Sequence, residues 1–296
     1  MKIGRYLVNV SNPEKIWFPQ SKITKVDLVA YYRDIAPFML PFTKDRALTL
    51  HRFPDGIDHE GFYQKNIGAH FPAWVASKKI KNKEAGYTTY VVCNNAASLA
   101  YIATQGCITP HLWLSKIDKL NYPDRMIFDL DPFDDDFTLV CWTAKELKKE
   151  LEERGLTPFV MTTGSRGLHV VVPLKRTATF DVVRDYARDI ATLLVQRYPK
   201  KLTINPRKES RGRKLLIDCM RNAYGATAVT PYAVRAIEKA PVAMPIFWEE
   251  LARTTPQRFT IKTIFKRLLQ KEDPWQKLNK AALVLKPLPY EKDLKS

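Results

Sequence analysis

Two aspartates, Asp129 and Asp131, close the apolar run of RMIFDLDPFDDDF at residues 125–137. Residues i and i+2 of a strand leave the same face, roughly 6.5–7 Å apart at Cα, so both carboxylates point one way. Left unneutralised, like charges about 4 Å apart repel by roughly 4 kcal/mol at an effective dielectric of 20. The pair suits one or two hard divalent cations, which bind triphosphate oxygens and lower the pKa of an attacking hydroxyl. DxD alone is a weak signal, and a strand-end pair that caps a turn remains the alternative. Asp134, Asp135 and Asp136 read differently. They precede a helical pattern, where aspartate satisfies free N–H groups and suits the positive end of the dipole.

A second stretch, TTGSRGLHVVV at 162–172, has the composition of an anion clasp. Gly164 and Gly167 let backbone N–H groups approach a phosphate, while the Ser165 hydroxyl and Arg166 guanidinium bind its oxygens. His169, just inside the following strand, donates to a phosphate or stands as a satisfied core histidine. A third acid, Asp218, lies in KLLIDCM.

The elements that must position these groups follow from periodicity. MIFDLD is a β run ended by Pro132, which cannot donate to a ladder. Helical spacing runs from Phe137 to Arg154 and stops at Gly155. TPFVMTT and LHVVVPL are strands joined by the Gly164–Gly167 turn. FDVVRDYARDIATLLVQRY has its apolar residues at Val182, Val183, Tyr186, Ile190, Leu193 and Leu194, a helical period. KLLIDCM is a final strand. The order β-α-β-β-α-β is the ferredoxin-like unit. In it the first strand lies between the third and fourth, antiparallel to both, so Asp129 and Asp131 should approach His169 on one side and Asp218 on the other.

Upstream, ITKVDLVAYYRDIAPFM carries a helix signal with a Thr24/Asp27 capping box. RALTLHRF, TTYVVC and HLWLS read as strands, while GIDHEG and KKIKNKEAG read as loops. The chain is expected to be one α/β (α+β) domain over 1–296. Its sub-lobes are an N-terminal α/β lobe at 1–115, an RRM-like lobe at 116–240 and a helical extension with a basic tail at 241–296.

Composition narrows the partner. The 296 residues are 45% hydrophobic, enough for a real core, and carry a net charge of +17 with pI near 9.6. Such an excess points to nucleic acid, because counterion release from phosphates drives association. No basic amphipathic anchor and no apolar run of about 18 residues suggests a membrane. The N-terminus lacks a signal-peptide pattern. Cys93, Cys107, Cys141 and Cys219 are scattered without a CxxC pair, so neither zinc nor disulfides are indicated and reduced cytoplasm is expected.

FDLDP, then SRGLHVVVPL, then LLIDCMRNAYGATAVTPYAVRA together resemble the three sequential motifs of the archaeo-eukaryotic primase superfamily. The chain is more closely similar to the polymerase domain of bacterial ligase D and its stand-alone relatives in non-homologous end joining. SNPEKIWFP, GFYQKN and GCITPHLWLS extend the resemblance over about residues 5 to 255. It implies a primase-like core with an RRM-like lobe and a template-directed polymerase that adds nucleotides, often ribonucleotides, to a primer 3′-hydroxyl at gaps and broken ends. By that match Asp129, Asp131 and Asp218 hold two divalent ions, Mn2+ or Mg2+, and Ser165, Arg166, His169 and Arg235 contact the triphosphate. His111 lies against the nucleotide.

The same match assigns Asn12, Lys15 and Lys25 to a downstream 5′-phosphate, and Phe62 and Tyr63 to stacking on template. Read without the family, the lysines are solvated surface charges and the aromatics are core. Arg211, in RKESRGRKLL, either meets the primer or active site or belongs to a plain charged loop. KKIKNKEAG matches a surface hairpin that helps bridge DNA ends. Two departures stand out. Arg166 replaces a common lysine, giving a planar fork for a point charge. Ile237 stands where a second arginine is usual. Ku and a separate ligase are partners implied by analogy, beside the nucleoid. A non-catalytic end-bridging module and a primer-independent primase are the rival readings.

Overall fold

A computed structural model describes residues 1–82 and 85–286. Two six-stranded sheets face each other. The first is built on the ferredoxin-like order. The DxD strand, Arg125–Asp131, lies between Leu168–Pro173 and Leu215–Asp218 and is antiparallel to both. Phe159–Thr162 flanks Leu168–Pro173, with Pro245–Ile246 beyond it. At the opposite edge a two-residue strand, Leu202–Thr203, runs parallel to Leu215–Asp218. Helices Phe137–Glu152 and Phe180–Arg197 cover one face of this sheet. Val140, Ala144, Leu147 and Leu151 of the first and Val183, Ala187, Ile190 and Leu194 of the second are buried at helical spacing. Val182, read from the sequence as part of the apolar stripe, instead points to solvent.

The second sheet has Ala47–Arg52 at its centre, paired with Tyr87–Val92, Cys107–Trp113 and Phe62–Gln64. Ser77–Lys81 extends it at one edge. At the other, the chain returns from the first sheet and adds Thr227–Val229 to Cys107–Trp113. Local deviations from the sequence reading have physical causes. The single N-terminal helix divides into Lys25–Asp34 and Ala36–Thr43, because Pro37 has no N–H to continue the ladder. Its start is as expected: Thr24 N–H donates to Asp27 at 2.8 Å, and Asp27 N–H donates back to the Thr24 hydroxyl at 3.3 Å. Half of KKIKNKEAG is strand; Lys83 and Glu84 lie outside the described residues. Lysine-rich edge strands of this type resist sheet-to-sheet pairing. The basic tail after residue 286 also lies outside them.

One main apolar core extends from Ile3 to Leu278. No helix among the described residues is long and apolar enough to cross a membrane.

Candidate nucleotidyl-transfer site

Strand pairing alone assembles the site. Asp129 sits opposite His169 on one neighbour and opposite Asp218 on the other. Asp131 follows two residues along, so all three carboxylates and the imidazole leave the face turned towards the second sheet. The 3-10 turn Met220–Asn222 fixes the end of the Asp218 strand. The buried Asn222 side chain accepts from Ile127 N–H at 2.8 Å and donates to Ile127 O at 2.7 Å. Met220 N–H donates to Asp218 Oδ1 at 2.7 Å.

The cleft between the sheets measures about 550 Å3. Asp129, Asp131, Asp218, Ser165, Arg166, His169, Arg211, Arg235, His111 and Tyr63 all line it. Asn12, Lys15, Lys25 and Phe62 do not. The clasp turn is seated from two directions. Arg235 Nη1 donates to Thr163 O at 2.7 Å, and Gln257 Nε2 donates to Ser165 O at 3.1 Å. Gly164 has φ +68°, and a Cβ there would meet Val242 C at 2.9 Å. At Gly167 a Cβ would lie 2.1 Å from Leu130 O, the carbonyl between the two DxD acids. Gly167→Ala must therefore push the clasp and DxD strands apart. It is expected to cost about 1–3 kcal/mol, measured by urea unfolding; an unchanged midpoint would show that the turn relaxes freely.

Arginines answer the carboxylates. Arg221 reaches Asp129 Oδ2 through Nε and Nη2, both at 3.1 Å. Arg211 Nη1 reaches Asp131 Oδ2 at 3.2 Å, and Arg166 Nη2 reaches Asp131 Oδ1 at 3.4 Å. His169 Nε2 is 3.5 Å from Asp129 Oδ1. Burial alone would raise the Asp129 carboxyl, but His169 and Arg221 outweigh it and hold it well below the usual carboxylate range. Asp218 is raised instead, by burial first, with the Asp129 charge adding to the effect. The unlike directions are what two close carboxylates sharing too little positive charge should show.

Sequence reasoning overlooked Arg221. Its signal is its place three residues after Asp218, on the turn that ends that strand. It adds a cation to a cleft in which Ile237 supplies none.

The opposite wall is aromatic. Tyr63 stacks on His51 with centroids 4.2 Å apart and planes 9° apart, and meets His111 edge-on at 5.5 Å. His111 is buried, and burial first, then Arg235, drives its pKa well below the ordinary histidine value, leaving a neutral ring. Its Nε2 has no hydrogen-bond partner among the described residues. Phe62 and Tyr63 are both exposed, which rules out the core reading. As consecutive strand residues they face opposite ways, and only Tyr63 enters the cleft; Phe62 lies against the Arg52 guanidinium at 5.3 Å.

Asn12, Lys15 and Lys25 gather elsewhere. Lys15 N–H donates to Asn12 O at 3.1 Å and Lys25 N–H to Lys15 O at 2.8 Å. Lys25 is buried, not a solvated surface charge. Burial, then the Lys15 charge, lowers its pKa, and its Nζ donates to Ser11 Oγ at 3.2 Å. Lys15 is half-exposed and paired with Asp55 at 2.6 Å. Of the acidic run, Asp136 caps its helix by accepting from Leu139 N–H at 3.1 Å, and Asp134 pairs with Arg213 at 2.7 Å.

The donor chemistry of Asp129, Asp131 and Asp218 fits a hard divalent cation: three carboxylates on one face, two of them on register-opposed residues. They are not closed around such a position, since guanidinium groups hold the Asp129 and Asp131 oxygens. Among the described residues no three His, Cys, Asp or Glu side chains form a ready cluster.

Comparison with known proteins identifies the family. The profile of the LigD primase-polymerase domain matches residues 24–275. The solved polymerase domain from Mycobacterium tuberculosis ligase D, in complex with DNA, superposes with a TM-score of 0.88 at 27% identity. That match covers 93% of this chain and 99% of that one. The fold and site therefore define a nucleotidyltransferase of the primase-polymerase type. A multifunctional non-homologous end joining protein LigD of Mycolicibacterium smegmatis is 31% identical over 264 residues, 88% of this chain and 34% of that protein. A bifunctional non-homologous end joining protein LigD of Bacillus subtilis is 32% identical over 265 residues, 88% of this chain and 42% of that protein. The chain belongs to the LigD primase-polymerase domain family, and it spans about a third to two fifths of the length of these curated relatives.

Proposed function

We propose that the protein is a template-directed, metal-dependent polymerase that fills gaps and extends broken ends in non-homologous end joining. It favours ribonucleotides and recognises a 5′-phosphate on the downstream strand. The observation that carries this reading is the pairing of Asp129 with His169 and Asp218 at once. Asp129, Asp131 and Asp218 would hold Mn2+ or Mg2+, which when bound neutralises phosphate charge and makes the primer hydroxyl more acidic.

The chain's own groups do the positioning. Ser165 and Arg166 grip the triphosphate from the clasp turn, with His169 behind them and Arg235 holding the turn. A triphosphate offers Arg166, Arg211 and Arg221 a partner in exchange for the carboxylates they now hold, which frees Asp129 and Asp131 for the cation. The primer 3′-oxygen bonds to the α-phosphorus, the bond to the β-phosphate oxygen breaks, pyrophosphate leaves, and the hydroxyl proton passes to solvent. His111 and Tyr63 line the side on which the nucleoside lies. Base–aromatic stacking is worth about 1–3 kcal/mol, so Tyr63→Ala is expected to weaken templated-primer binding about 5- to 150-fold in a fluorescence titration. An effect below twofold would remove Tyr63 from the template contact.

The close pair Lys15 and Lys25, each charge opposing the other, suits a doubly charged phosphate between them. Ku and a DNA ligase activity are the partners this role calls for. The deciding experiment is primer extension with manganese and ribonucleotides on gapped duplexes with and without the downstream phosphate. Extension stimulated by the phosphate, and no longer stimulated in Lys25→Ala, supports the reading. Synthesis on a primer-free single strand would make the protein a primase. No synthesis beside intact end binding would leave a bridging module.

A further inference from the structure

We propose that a basic pocket at the end of the molecule opposite the carboxylates binds a phosphate group. The inference is independent of the polymerase reading and adds a site to it. The pocket measures about 360 Å3, and Arg46, Lys116, Asp124, Lys175, Arg176 and Asn279 line it. It shares no lining residue with the catalytic cleft. Asp124 immediately precedes the DxD strand and stands five residues before Asp129, roughly 17 Å away at 3.4 Å per residue.

Charge argues for an anion. In the floor, Asp124 is held by Arg125 Nε at 3.0 Å and by Arg46 Nη2 in a short contact, so one carboxylate serves two buried guanidinium groups. Arg176 forms a wall. Asp118 takes its Nη1 and Nη2 at 2.8 and 2.7 Å, but its Nε is buried with no hydrogen-bond partner among the described residues. Lys119 Nζ donates to Arg176 O at 2.7 Å, which brings another ammonium to that wall. Lys116 is half-buried, Lys175 is exposed, and neither has an ion pair among the described residues. Three arginines and three lysines therefore pair with Asp118 and Asp124 alone among the described residues. Burial, then the Arg125 charge, lowers Arg46 to about 10 despite Asp124, and the Arg176 charge adds to the effect. An anion seated here relieves that repulsion and gives the Arg176 Nε an acceptor.

The donor set selects phosphate. Guanidinium forks match its oxygens, and lysine adds a mobile point charge. No aromatic side chain lines the pocket, so nothing in it would stack on a base. Recognition is of the phosphate itself, whether free or carried on a nucleic-acid backbone. The walls come from distant parts of the chain: Arg46 opens the second sheet's central strand, Leu174–Arg176 follows a strand of the first, and Asn279 belongs to the 3-10 turn Leu278–Ala281. A bound phosphate joins all three.

The test is thermal unfolding of the whole chain in inorganic phosphate against chloride at equal pH and ionic strength. The wild-type midpoint is expected to rise by about 3 °C or more at phosphate about tenfold above its dissociation constant. Lys116→Glu combined with Lys175→Glu should lose most of that gain and unfold normally in chloride. Lys78→Glu combined with Lys79→Glu, an equal charge change on the edge strand Ser77–Lys81, should keep it. Hydrogen exchange locates the ion: phosphate should slow exchange in peptides spanning 116–125 and 173–177 of the wild type but not of the first double variant. The same protection by a short single-stranded oligonucleotide would assign the phosphate to a nucleic-acid backbone. Protection by inorganic phosphate alone would make it a free ion. An equal gain in wild type and the first double variant, equal losses in both double variants, or protection confined to the clasp would overturn the site.

Discussion

Asp129→Ala is expected to reduce primer extension by at least about a thousandfold while the protein stays folded. Asp129 is the one carboxylate residue of the DxD strand paired with both neighbouring strands, so its carboxylate lies between His169 and the Asp218 side chain. Removing it halves the register-opposed pair available to a cation and leaves Arg221 without its carboxylate partner. A bound cation supplies several kcal/mol of transition-state charge stabilisation. Losing about 4 kcal/mol of it is about three powers of ten in rate. The fold should survive, because deletion also relieves the repulsion between Asp129 and Asp218. Asp135→Ala is the control: it is exposed, outside the cleft and should extend primers normally. Calorimetric titration with manganese checks the cause independently of turnover, with heat of binding expected in wild type and Asp135→Ala and absent from Asp129→Ala. Extension by Asp129→Ala within tenfold of wild type would end the case for these carboxylates as the catalytic centre.

What was legible beforehand was the pattern that local physics enforces. Alternating and continuous apolar runs, a proline after Asp131 and glycines around Ser165 gave the ferredoxin-like order, and that order dictated which strands flank DxD. The face shared by Asp129, His169 and Asp218 follows from it. The register of Asp218 did not follow, because it depends on the Asn222 bonds to the Ile127 backbone, which join residues 95 apart. Helix Ala96–Thr104 was missed for a different reason. Nearly all of it is buried, so its sequence AASLAYIAT has no polar face to set a period. Ser77–Lys81 looked like a loop because its lysines mask the one inward residue, Ile80. Arg221 belongs to no motif of its own. Only the turn that brings it back over Asp129 reveals it.

The same dependence on distant partners governs the base of the cleft, where Asp124→Ala is expected to destabilise the fold by about 3–5 kcal/mol. Asp124 precedes the DxD strand, and its two oxygens are taken by two buried arginines: Arg125 Nε at 3.0 Å and Arg46 Nη2 in a short contact. Arg46 comes from the start of the central strand of the second sheet, where its Nε also donates to Phe42 O at 2.9 Å. The Asp124 backbone N–H donates to Leu114 O at 3.0 Å and its carbonyl accepts from Leu174 N–H at 2.8 Å, so Asp124 ties the two walls of the cleft together at the end opposite the carboxylates. Burial pulls Arg46 down to about 10 even with Asp124 present, a sign of how poorly this position tolerates charge. Burial would raise the Asp124 carboxyl too, but Arg46 and Arg125 outweigh it and depress it well below the usual range. A depressed carboxyl stabilises the fold fully above its unfolded pKa of about 3.9 and loses that contribution as pH falls towards the folded value. The deficit in Asp124→Ala should therefore be complete at neutral pH and shrink only in strong acid. Guanidinium unfolding at pH 7 measures it, and Arg46→Met combined with Asp124→Ala should recover much of the loss, since removing both charges leaves fewer of them stranded. A single variant within about 1 kcal/mol of wild type, the level of an exposed pair, would mean that water reaches the two arginines and that the sheets are joined by packing alone.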